Sequence, residues 1–158
     1  MRRDVHSWNG LIQRRDFMQK KRNTAIFIDG ENIPAKKAAI IMSEAKKRGV
    51  IDSAKVYGLQ RDMATRQWSK IAKSMDIMKD IRLCGGPSKN KVDKKIKRDT
   101  IHDISNATNV DIVIIASSDH GYLDNINKLR AMGKRVVVMG EAKAPNNLRK
   151  ACNEFVLI

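Results

Sequence analysis

The chain has 158 residues, 42% of them hydrophobic and only three of them proline, a composition that supports one globular domain with its own core rather than a disordered chain. No apolar run approaches the ~20 residues of a membrane span, and the opening MRRDVHSWNG lacks the apolar stretch and cleavage site of a secretory signal, so the expected setting is cytoplasmic with no membrane partner. Thirty-two Lys and Arg against seventeen Asp and Glu leave a net charge of +15, which calls for a polyanionic partner.

In chain order, residues 1–23 read as a basic N-terminal extension with seven basic and two acidic side chains. Val5, Trp8, Leu11 and Ile12 fall at helical spacing after Asp4, so a short amphipathic helix is expected there. Residues 24–158 then alternate short β-rich runs with helical periodicities. The expected strands are TAIFI (24–28), SAKVYGL (53–59), DIRLC (80–84), DIVIIAS (111–117), RVVVMG (135–140) and EFVLI (154–158). Between them lie expected helices at 34–48, 61–76, 92–107, 121–132 and 146–152. This alternation predicts a three-layer α/β fold, a central and mostly parallel sheet with right-handed crossovers and helices on both faces. Gly49, Gly133 and the Gly85-Gly86-Pro87 cluster mark helix ends and turns, and Pro34 sits where a first helical turn tolerates it. Cys84 and Cys152 are far apart and lack metal-ligand spacing, which favours free thiols in a reducing compartment.

Such sheets bind ligands outside the carboxyl ends of their strands, where strand order reverses. Asp29 follows TAIFI, Asp119 follows DIVIIASS, and Asp93 opens the 92–107 helix. If TAIFI and DIVIIAS are neighbours across the reversal, these three carboxylates share one rim. On the helix, a rotation of about 100° per residue puts Val92, Ile96, Thr100, Ile104 and Ala107 on one face, with Asp93, Asp99 and Asp103 in it or at its edges. Lys94, Arg98 and His102 point away. Carboxylates on the apolar side of a helix are costly without a partner, so Asp93 and Asp99 read as site residues, whereas Asp103, deeper along the helix, reads as a structural hydrogen-bonding residue. Gathered carboxylates need a cation, and a hard divalent metal used in phosphoryl chemistry is the first candidate. Any one aspartate alone would serve equally well as a strand end, N-cap or turn residue. A second basic run, residues 85–98 with six basic side chains and one acidic, surrounds Asp93.

Three segments carry a resemblance: IDGENIP (28–34), KVDKKIKRD (91–99) and IIASSDHGY (114–122). Together, and in this order, they resemble the NYN domains of the PIN-like nuclease superfamily over about residues 24–158. The resemblance implies a PIN-like fold and a metal-dependent ribonuclease, an endonuclease by preference, that takes single-stranded or structured RNA and uses Mg²⁺ or Mn²⁺. By position it implies Asp29, Asp93 and Asp119 as metal-pocket residues and Asp99 as a further acidic member. It also implies Asn32 as organiser of the first turn and Ser117 as a polar neighbour of the metal. Lys89, Lys91, Lys94, Lys95, Lys97 and Arg98 would line the approach of the strand. The family's last motif commonly reads S-G-D-S-D-F; here its second Asp is replaced by Gly121, Asp124 could substitute for it or serve as a first-turn helix residue, and His120 could contact a phosphate, act as an acid or simply hydrogen-bond at the strand end. With aromatic residues at 4%, backbone electrostatics rather than base stacking is expected to supply RNA affinity.

Two other readings remain open at the level of sequence. One is a catalytically weakened PIN-like module that binds RNA or assembles with partners, including further copies of itself. The other is a phosphotransfer or nucleotide-binding domain, against which stand the absence of a G-x-G-x-x-G or P-loop after a strand and of a D-x-D after TAIFI.

Overall fold

The computed structural model describes residues 21–59, 63–82, 91–107 and 109–158, with residues 81, 82 and 91 described by backbone alone. Six strands, β1 (Asn23–Asp29), β2 (Val50–Leu59), β3 (Met78–Arg82), β4 (Ile112–Ala116), β5 (Arg135–Gly140) and β6 (Glu154–Leu157), form one sheet in the order β3-β2-β1-β4-β5-β6. Every pairing is parallel. Around it lie α1 (Ala38–Arg48), α2 (Met63–Ser74), α3 (Lys91–Asn106), α4 (Leu123–Ala131) and α5 (Asn146–Ala151), with 3₁₀ turns at Ala35–Lys37 and His120–Tyr122. The α/β architecture expected from the alternating pattern is therefore present, and it is consistent with a PIN-like fold. The expected N-terminal helix and Cys84 lie outside the described residues.

The two strand faces sort the helices. Ile26, Ile28, Val56, Ile114 and Val137 face α1 and α2, where Ile41, Trp68 and Ala72 complete a buried layer. Ala25, Phe27, Tyr57, Val113, Ile115 and Val138 face α3, α4 and α5, against Val92, Ile96, Ile126, Leu129 and Leu148. A strand buried on both faces reads as a continuous apolar run, and β1 and β4 do so because they lie at the sheet's centre. Burial of such β-branched side chains contributes about 1.5–3 kcal/mol each.

Two strands begin earlier than their sequences suggest. In β2 the register skips from Thr24↔Ile51 to Ala25↔Ser53, so Asp52 is an extra residue that breaks the apolar alternation and hides the strand's first residues. In β3, Met78 pairs with Lys55 although its own side chain is exposed. Helix α4 ends in a Schellman arrangement: Lys134 N–H donates to Leu129 O at 3.1 Å, and Gly133 takes φ +81°, a conformation glycine adopts without Cβ strain.

The topology positions the site. From β1 the chain steps outward through β2 and β3, and α3 then carries it back across the opposite face to β4, on the other side of β1. Strand order reverses between β1 and β4, whose register runs from Thr24↔Ile112 to Ile28↔Ala116. Their carboxyl ends, Asp29 and the Ser117–Asp119 turn, therefore flank one crevice, with the first turn of α3 above it.

Candidate active site

Asp29 ends β1 on the face already occupied by Ala25 and Phe27, which aims its side chain beneath α3 and α4. It is fully buried, at 0% exposure. The chain turns immediately afterwards, and Gly30 permits this because a Cβ there would lie 2.5 Å from the Tyr57 carbonyl oxygen, to which Gly30 N–H donates. The turn brings donors onto the carboxylate. Asn32 Nδ2 donates to Asp29 Oδ2 at 2.7 Å, Ser117 Oγ at 3.1 Å and Tyr122 Oη at 3.4 Å, while the backbone N–H groups of Glu31 and Asn32 donate to Oδ1, each at 3.3 Å. Donors of this number fix the orientation of the carboxylate without any cation.

Asp93 and Asp119 join the same network from two further elements. Tyr122 Oη lies 3.1 Å from Asp93 Oδ1, so the phenol bridges the carboxylates of β1 and α3. Asp119 N–H donates to Ser117 Oγ at 3.2 Å, and Asp119 Oδ1 accepts the Gly121 N–H at 2.9 Å, capping the 3₁₀ turn. Burial, a hydrogen bond with Asp119 and the charge of Asp29 push the Asp93 carboxyl up to about 6. The Gly121 N–H, first among the causes, holds Asp119 below the usual carboxylate range. Asp93 is thus the member of the pair that keeps its proton to the higher pH, because like charges crowd it. Burial, followed by the charges of Asp29 and Asp93, drives the Tyr122 hydroxyl far upward, so it stays a hydrogen-bond donor.

The other expected site residues are placed differently. Asp99 is buried, and its oxygens accept from Tyr57 Oη and Lys95 Nζ, each at 3.0 Å, rather than from the Asp29–Asp93–Asp119 group. Burial raises its pKa, but the Lys95 and Tyr57 bonds outweigh that effect and hold it low. Lys95 also lies 3.5 Å from Asp80, so its ammonium is engaged inside the domain rather than facing an approaching strand. Lys94 and Arg98 are exposed on α3; Lys97 is half-buried and lies over the Tyr122 ring at 5.6 Å. Lys89 and the Lys91 side chain lie outside the described residues. Asp103 sits at the helix edge, 3.8 Å from Lys55. Asp124 is 77% exposed and pairs with Lys128 at 2.9 Å, which takes it away from the pocket and leaves it as a first-turn helix residue. His120 is exposed, 3.5 Å from Asp119.

Three residues that sequence reasoning passed over contribute to the site. Tyr122 links Asp29 to Asp93, and only its place at the end of IIASSDHGY hinted at it. Asn125, buried in α4, donates to Lys97 O at 2.9 Å and to Thr100 Oγ1 at 2.6 Å, fixing α3 against α4. Lys143, from the loop after β5, lines a cavity of about 400 Å³ with Asn32, Ser118, Asp119, His120 and Pro145. Of the three carboxylates, Asp119 is the one that lines this cavity.

The donor set suits a hard divalent cation. All three carboxylates offer oxygen alone, and among the described residues neither Asp29 nor Asp93 has a Lys or Arg ion-pair partner although both are buried. Among the described residues no group of three His, Cys, Asp or Glu already stands as around a bound ion, since the oxygens are turned onto Asn32, Ser117, Gly121 and Tyr122. No described helix is long and apolar enough to cross a membrane. Comparison with curated proteins gives no significant match. The family model of the NYN domain matches residues 23–158, spanning the whole sheet and all three carboxylate-bearing turns, and the chain belongs to the NYN domain family of the PIN-like nuclease superfamily.

Proposed function

We propose that the protein is a divalent-metal-dependent ribonuclease that hydrolyses RNA phosphodiester bonds within the strand. NYN domains are generally nucleases that use divalent metals; the observation carrying the reading for this chain is the meeting of Asp29, Asp93 and Asp119 at the switch point, two of them buried with no cationic partner among the described residues. Asp29, Asp93 and Asp119 would hold Mg²⁺ or Mn²⁺, which when bound supplies Lewis acidity and an acidified water. Asn32 and Ser117 keep Asp29 oriented. Above about pH 6 Asp93 would meet the ion as a carboxylate. Tyr122, held neutral, fixes the spacing between Asp29 and Asp93. Lys94, Lys97 and Arg98 neutralise the phosphates of the incoming strand, and this sequence-independent attraction, with few aromatics for stacking, favours weak base preference. The buried free thiol of Cys152 suits the reducing cytoplasm this reading assumes.

The test is incubation of purified protein with linear single-stranded, structured and circular RNA, with Mg²⁺ or Mn²⁺ and with EDTA. Cleavage of the circular RNA only with metal supports an endonuclease. A second reading, an RNA-binding module with little turnover, draws on the carboxylate oxygens being turned onto protein donors rather than onto a common point, and metal-independent RNA binding without any cleavage would favour it.

A further inference from the structure

Gly121 leaves room for a cation. A Cβ at this position would lie 3.0 Å from Lys97 Nζ and 3.4 Å from Asp119 Oδ1, so the ammonium and the carboxylate border the same small space. Lys97 follows Asp93 by one helical turn on α3, which stacks the two side chains on one face. Its position is held from three sides: Asn125 and Thr100 bond its carbonyl oxygen at 2.9 and 3.1 Å, and its ammonium rests over the Tyr122 ring, the same ring whose hydroxyl reaches Asp29 and Asp93. Lys97 rests on the Tyr122 ring but nevertheless has no ion-pair partner among the described residues. A half-buried ammonium that borders the same space as the Asp119 carboxylate without pairing to it is available to a ligand.

Charge arithmetic states what that ligand is. Three ionised carboxylates and one ammonium sum to −2, which a single divalent ion cancels. A second divalent ion would meet a neutral site with a fixed positive charge at its edge, and at such short range this repulsion is not screened by salt. Resting on the nuclease reading above, we infer that Lys97 is the site's built-in second cation: the pocket takes one divalent ion, and the Lys97 ammonium contacts a non-bridging oxygen of the same phosphate that this ion engages.

Calorimetric titration of Mn²⁺ into the full chain, RNA binding measured in EDTA, and cleavage at saturating Mn²⁺ test this with Lys97→Met, Lys97→Arg, and Gly121→Asp combined with Lys97→Met. The wild type should bind one ion. Lys97→Met should bind one ion severalfold more tightly, since a repelling charge is gone, yet bind RNA more weakly in EDTA and cleave about 100-fold more slowly at saturation, the usual cost of one preorganised charge-stabilising donor. Lys97→Arg should recover most of both losses, because the guanidinium keeps the charge. The double variant, with a fourth carboxylate where the ammonium stood, should bind a second ion. Two ions in the wild type, or wild-type cleavage by Lys97→Met at saturating Mn²⁺, would overturn the inference while leaving the nuclease reading intact. A wild type that neither binds Mn²⁺ nor cuts RNA would overturn both.

Discussion

At the scale of single residues, the three pocket aspartates differ in what holds them, and their variants should differ accordingly. Asp119 is part-exposed and its main bond is the Gly121 N–H to Oδ1, which an asparagine oxygen accepts equally well. Asp119→Asn should therefore keep its melting temperature and lose metal-dependent cleavage by well over 100-fold, more than the roughly 10–100-fold typical of residues that only orient metal ligands. Asp29 is surrounded by donors on both oxygens, so an amide there turns its own N–H groups onto other N–H groups. Asp29→Asn should lose activity and also about 1–3 kcal/mol of stability by chemical denaturation. Asp93 behaves in the opposite sense. Its folded pKa, pushed up to about 6 from the 3.8 of a free aspartate, means that its favourable contribution is complete below the free value and is lost as pH rises through 6. In EDTA, Asp93→Asn should melt higher than the wild type at pH 7.5, and the difference should vanish towards pH 4. A wild type equal to the variant at both pH values would show that Asp93 is not strained by its neighbours.

At the scale of elements, α3 brings Asp93 and Lys97 to the crevice and β1 brings Asp29. Helix α3 keeps its register against α4 through buried Asn125, whose amide satisfies Lys97 O and Thr100 Oγ1. Asn125→Ala should cost about 1–3 kcal/mol in denaturant unfolding, the desolvation cost of acceptors left unpaired, and should slow cleavage by letting Lys97 drift. Strand β1 contains the converse case. The Thr24 hydroxyl is fully buried and has no hydrogen-bond partner among the described residues, so Thr24→Val should raise stability by about 1 kcal/mol, with cleavage unchanged because Thr24 sits at the amino end of the strand, far from Asp29. A destabilised Thr24→Val would show that the hydroxyl has a partner in solution.

At the scale of the whole molecule, two groups of positive side chains among the described residues lie at opposite ends of the strands. Lys94, Lys97 and Arg98 lie on α3 near the carboxyl ends of the strands, while Lys21, Arg22, Lys46, Lys47 and Arg48 line a cavity of about 610 Å³ at their amino ends. In that second group Arg48 is committed to Glu44 and Glu154, which ties α1 to β6. RNA affinity should fall steeply with salt, and Lys94→Ala with Arg98→Ala should weaken binding evenly across sequences and reduce the log–log salt slope by about two, roughly one for each phosphate that is no longer neutralised. Filter binding or anisotropy between low and moderate salt measures this. An unchanged slope would move the RNA path off α3.

The sequence by itself determined the alternation of strands and helices, because apolar periodicity is a local property that each segment carries alone. It also determined that Asp93 and Asp99 lie on the inner side of α3, since helical geometry is equally local, and both are buried. The place of Asn32 in the turn after β1 came through the resemblance of IDGENIP to the family motif, and Asn32 Nδ2 does donate to Asp29 Oδ2. What only the tertiary structure decided concerns partners distant in the chain. Asp99 faces Tyr57, 42 residues away, and Lys95 turns inward to Asp80 and Asp99, so two residues indistinguishable by pattern from Asp93 and Lys94 leave the pocket. Tyr122 joins carboxylates from β1 and α3, and Lys97 reaches the space beside Gly121. Those arrangements follow from the strand order that sets β4 against β1 and swings α3 over both. A single helix's periodicity fixes which way a side chain points, but not which neighbour the sheet has placed there.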